Sequence, residues 1–79
     1  MSLYGIYRGV CIDNLDPMAT GRVRVMVPAV TAEGTGLWAL PCRALGVPAA
    51  APPSVGESVW VMFEHGDANR PVVVGTLPT

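Results

Sequence analysis

Residues 56–77, GESVWVMFEHGDANRPVVVGTL, restrict the possible folds more than any other stretch. Residues 57–64 form a dense apolar run with β-branched and aromatic members, which suit a pleated, half-buried backbone. Residues 65–70 then bring Gly66, Asp67 and Asn69, which tolerate tight turns and positive φ. Pro71 opens a second β-branched run, Val72-Val73-Val74. Two strands and the turn between them follow. Both runs are apolar on both faces, so something must cover the second face.

The rest of the chain supplies more strands. Residues 4–13 read as a strand with Ile6, Val10 and Ile12 on one side and Tyr7, Gly9 and Cys11 on the other. Gly5 and Gly9 inside it point to a bulge or sharp coil. Asp16-Pro17 starts a turn in the connection 14–21. Residues 21–27, GRVRVMV, alternate cleanly: Val23, Val25 and Val27 one way, Arg22, Arg24 and Met26 the other. Residues 37–43 form a short third strand, which Pro41 confines to an edge or interrupts. Residues 44–55 hold three prolines and four alanines and read as an extended, semi-rigid loop.

Five short strands without a convincing helix make an all-β chain. In 79 residues the economical solution is one domain, residues 1–79, built as a five-stranded antiparallel Greek-key barrel of the OB type. An SH3-like barrel is the alternative.

Composition bears on what covers the second face. A chain this short buries only about 60% of its unfolded surface. Yet 51% of its residues are apolar and 14% charged, against about 25% charged on average. That excess predicts an obligate oligomer or a part of a larger assembly. The five cations are all arginine, and net charge is −1. This argues against nucleic acid, whose binders carry a basic excess. No stretch is long enough to span a membrane as an apolar helix, and the N-terminus lacks a charged region followed by an apolar one.

Few residues could carry chemistry. Cys11 and Cys42, with one histidine, cannot make a four-ligand zinc site; they read as free buried thiols, or as a disulfide if their strands adjoin. His65 lies beside Glu64 and Asp67, with no second histidine or nucleophile, and reads as a solvated turn residue. Asp13 and Asp16 suit turn capping better than a catalytic pair. The expectation is no enzymatic activity, no cofactor and no metal. Arg22, Arg24 and Arg70 are expected to pair with Asp67, Glu64 or Glu57, within the domain or across a subunit boundary. If Val59, Val61 and Phe63 fill the barrel, Trp60 and Met62 point outward as interface anchors, unless the 44–55 loop folds over them. Trp38 is either interface or core.

Three segments in order, 7–28, 37–42 and 52–77, resemble the OB-fold domain of the phage baseplate central spike and type VI secretion VgrG proteins. The matching positions are Asn14, Asp16-Pro17, Gly21-Arg22-Val23, Trp38-Ala39, Pro53, Gly56-Glu57, Glu64, Gly66-Asp67, Arg70-Pro71 and Gly75. The resemblance implies a structural protein of a contractile tail, in the virion baseplate or a related injection machine. It implies a homotrimer on the tail axis, docked on a hub protein and meeting a spike tip. No spike, lysozyme or effector segment accompanies the barrel, so a stand-alone component that borrows its pointed end from another chain is expected. The competing readings are an OB-type nucleic-acid module acting through Arg22 and Arg24, and a pentameric small-barrel shell vertex protein.

Overall fold

The computed structural model describes residues 2–18, 21–31, 36–42, 45–46 and 52–78. They form five strands: β1 (Tyr7–Asp13), β2 (Val23–Met26), β3 (Leu37–Pro41), β4 (Ser58–Phe63) and β5 (Pro71–Thr76). The strands close into a barrel in the order β1-β2-β3-β5-β4.

The barrel is mixed, not wholly antiparallel as expected. β3 and β5 pair in parallel through Leu40↔Val72 and Pro41↔Val73; the other four pairings are antiparallel. The cause lies in the connection after β3. It carries the chain to β4, which pairs with β1 instead of turning back beside β3. The tight turn then returns β5 along the same direction as β3. Pro41 is accommodated because it ends the strand, where its missing N–H costs least; Cys42 N–H supplies the next bond, to Val73 O at 2.7 Å.

Alternation decides the core. Val23, Val25 and Val27 point inward and are buried, as are Val59, Val61 and Phe63 from β4 and Val73 from β5. From β1 the inward side is Gly9 and Cys11, with Tyr7 packed edge-on to Phe63 at 5.4 Å. A buried valine is worth about 1.5–3 kcal/mol relative to exposure, so this largely valine core is the main source of cohesion. The bulges fall elsewhere than Gly5 and Gly9: register slips between Cys11 and Asp13 and between Trp60 and Val61. Gly9 is needed for a close approach, since a Cβ there would meet Met26 O at 3.0 Å.

Both ends of the barrel are tied. Residues 64–66 make a 3-10 turn in which His65 (φ 57) and Gly66 (φ 70) are left-handed. Leu3 is buried beneath it and donates its N–H to Gly66 O at 2.9 Å. A Cβ on Gly66 would lie 2.8 Å from the Tyr4 ring. At the other end Asn14 Nδ2 donates to Pro53 O at 3.1 Å, and Leu77 N–H to Ser58 O at 3.1 Å. Half of the Ala/Pro-rich 44–55 loop, residues 44 and 47–51, lies outside the described residues, and with it the expectation that it covers Trp60 and Met62.

Candidate functional site

Strand alternation that fills the barrel also fixes what lies outside it. On β4, Trp60 and Met62 face outward; on β5, Val72 and Val74; on β3, Trp38 and Leu40. Register joins them. Leu40 opposes Val72, and Val72 opposes Met62, giving an apolar row across three neighbouring strands. Leu40 is 49% exposed and Met62 42%. Trp38 and Trp60 flank the row, two residues along their strands from Leu40 and Met62.

Each tryptophan carries an arginine. The Arg8 guanidinium lies 5.2 Å from the Trp60 ring centre, across the β1–β4 pairing. The Arg22 guanidinium lies 5.3 Å from that of Trp38. Arg22 is further fixed by Asp16, whose side chain is only 3% exposed. One carboxylate accepts from Arg22 Nη2 at 2.9 Å, Arg22 Nε at 3.1 Å and the backbone N–H groups of Met18 and Arg22. The hydrogen bonding of the guanidinium to the Asp16 carboxylate raises its pKa further above the ordinary value. Asp13 caps its own turn through Leu15 N–H at 2.9 Å, so both aspartates serve the connection.

The arginine partners differ in part from expectation. Arg70 meets Asp67, at 3.6 Å in an exposed pair. Arg22 takes Asp16 in place of Glu57, Glu64 or Asp67, because the turn at 16–18 folds back on the first residues of β2. Arg24 makes no ion pair among the described residues; its stem lies across Gly36, where a Cβ would meet Arg24 Nε at 2.6 Å. Glu57 accepts instead from Ser54 N–H at 3.1 Å. The sequence pattern makes the outward phase of Trp60 readable but not that of Arg8, so it does not bring the two together.

The cysteines are both free. Cys11 is buried, and burial pushes its thiol up from the ordinary 9.0. Cys42 is exposed, contrary to the expectation of two buried thiols, because it follows the last residue of β3. Among the described residues no three or more of His, Cys, Asp and Glu are grouped to hold a metal ion, and no helix is long and apolar enough to cross a membrane. His65 is exposed in its turn.

Beside the apolar row lies an open recess of about 330 Å³, lined by Arg22, Trp38, Leu40, Glu64, Asn69, Arg70 and Pro71. Three of the six candidate interface residues, Arg22, Trp38 and Arg70, thus meet at one place. Trp60 and Met62 lie on the adjoining β4 face, and Arg24 on β2 beyond Trp38.

A closed five-stranded barrel with one parallel seam, five-residue β3 and a long connection before β4 defines an OB-type module. The sequence model of the type VI secretion system/phage-baseplate injector OB domain matches residues 7–77, and the chain belongs to that family. A search among curated proteins finds no match.

Proposed function

We propose that the chain is a structural subunit of a contractile-tail baseplate or related injection machine, acting by assembly rather than catalysis. Its barrel sits at the central spike as a homotrimer, between a tail hub protein and a spike tip. The observation that supports this reading is the apolar row Leu40–Val72–Met62 with its flanking tryptophans. An exposed, contiguous apolar surface edged by charged residues marks a protein interface, and membership of the injector OB-domain family supports an assembly of that kind. The rim arginines, Arg8, Arg22, Arg24 and Arg70, set register between neighbours. A nucleic-acid role is less well supported: net charge is −1, and Arg22 and Arg70 already face carboxylates.

Light scattering on the purified chain, with native mass spectrometry to count subunits, tests this. Three subunits are expected, and Trp60→Glu dissociates them while the melting transition survives. A wild-type monomer at about 10 µM, a concentration well above that at which obligate oligomers come apart, would sink the reading. Five subunits would point to the vertex architecture instead.

A further inference from the structure

The recess beside Trp38 has a property that the apolar row lacks: it exposes a strand edge. Cys42 donates toward β5, and strand backbone groups alternate in direction, so Leu40 and Trp38 also turn their N–H and C=O toward that side. The β3–β5 ladder holds only Leu40↔Val72 and Pro41↔Val73. Trp38 lies beyond it, because β5 begins only at Pro71. In this parallel register Trp38 would bond Asn69 C=O and the N–H of residue 71, yet no bond to Asn69 forms; the turn holds the neighbouring Arg70, whose N–H goes to Asp67 O and whose C=O accepts from Glu64 N–H, both at 2.9 Å. Pro71 has no N–H to offer. Among the described residues no strand runs beside Trp38 on this side, and the space there is the recess.

The walls say what would fit. Trp38, Leu40 and Pro71 give an apolar floor, and Asn69 and the acidic Glu64 a polar rim. Arg22 is clamped on the Trp38 ring by Asp16. Arg70 is 64% exposed and held only by a 3.6 Å contact to a similarly exposed Asp67. Such a pair exchanges readily for another carboxylate. Because Arg22 already covers one face of Trp38, that face is not open to stack a nucleobase, which disfavours the oligonucleotides that many OB barrels take on this side.

We propose that this recess takes an extended peptide segment of a partner chain, which adds as a short strand at the Trp38 edge and sets an acidic side chain against Arg70. Main-chain hydrogen bonds to Trp38 give the affinity and Arg70 gives the preference, as in other strand-addition sites. The proposal deepens the assembly reading, on which it rests for the source of the segment. The two fail separately: self-association is read at Trp60 by light scattering, and the recess by peptide titration.

The test is a heteronuclear NMR titration of the isotope-labelled chain with the capped pentapeptide Thr-Val-Glu-Val-Thr. Its Thr-Val-Lys-Val-Thr counterpart and an oligothymidine serve as comparisons. The glutamate peptide is expected to shift the Trp38, Asn69 and Arg70 amides and to bind about tenfold more tightly than the lysine peptide. Arg70→Glu, an exposed substitution that leaves the barrel folded, reverses the order. Equal binding of both peptides, shifts that spare Trp38, no shift with any probe, or a stronger response to oligothymidine each overturn the proposal.

Discussion

The two arginine–tryptophan stacks look alike and are built differently. Arg8 over Trp60 and Arg22 over Trp38 have nearly equal separations, 5.2 and 5.3 Å. Behind Arg22 stands a near-buried carboxylate that also gathers two backbone N–H groups of its own connection. Behind Arg8 no ion pair stands among the described residues. A cation held from one side only is free to leave its ring for a better partner; a cation held from both sides is a structural fixture. The difference separates the barrel surface into a set corner, around Asp16, Arg22 and Trp38, and an adaptable face around Trp60. It also explains why a partner at the recess would work through Arg70 and not through Arg22, although both line it.

The largest effect is expected from Asp16→Ala. It removes an acceptor for at least four donors, so the melting temperature is expected to fall by about 10 °C, as read by thermal denaturation under circular dichroism. A drop no larger than that of an ordinary surface change would mean that the corner is not set. Next comes the matched pair Arg22→Ala and Arg8→Ala. The first should lower the melting temperature clearly, since it leaves the Asp16 carboxylate partly unpaired. The second should change it by no more than about 4 °C, the worth of one exposed cation–π contact. Equal effects would erase the distinction.

The smallest effect concerns Cys11, buried in the barrel core, whose thiol approaches Pro53 O at 3.7 Å while Asn14 bonds the same carbonyl. Burial raises the folded-state pKa above 9.0, so the folded chain holds the thiol proton more tightly than the unfolded one. Its contribution is complete below that value and lost as pH rises above it. The urea midpoint of the wild type should therefore decline more steeply than that of Cys11→Ala above pH 9.0. Parallel slopes would show that the thiol does not sense the fold.

Much of this was legible in the chain. The alternation in GRVRVMV and SVWVMF assigned Val23, Val25, Val27, Val59, Val61 and Phe63 to the core, because period two leaves a strand no choice once one face is buried. The turn after β4 was legible because Gly66 and Asp67 have few other uses. The parallel seam was not: strand direction depends on where a long connection lands, and residues 42–57 carry no periodicity to say so. The inward side of β1 was equally hidden, since Ile6, Val10 and Ile12 are more apolar than Tyr7, Gly9 and Cys11, yet only a residue as small as Gly9 fits against Met26 O. Among the site residues, the outward phase of Trp60, Met62, Arg22 and Arg24 followed from alternation, whereas Trp38 stayed open between interface and core and Arg70 lies in a turn that has no strand phase. The Asp16–Arg22 clamp did not, because a partner six residues away across a turn is set by backbone geometry rather than by charge order.

The placement of the two ends of the barrel has a mechanical consequence. Leu3 is bonded at the Gly66 turn and Leu77 at Ser58, so the chain enters beside one end of β4 and leaves beside the other. β1 and β5 flank β4, antiparallel to it, through four and five register pairs. Tension between Leu3 and Leu77 therefore drags β1 and β5 in opposite directions along β4 and loads both ladders in shear. Their hydrogen bonds must then yield together and not one after another, as in an unzipped hairpin. Resistance of that kind is governed by the unfolding rate rather than by equilibrium stability, so a barrel of modest thermal stability can still transmit a sharp axial pull without opening.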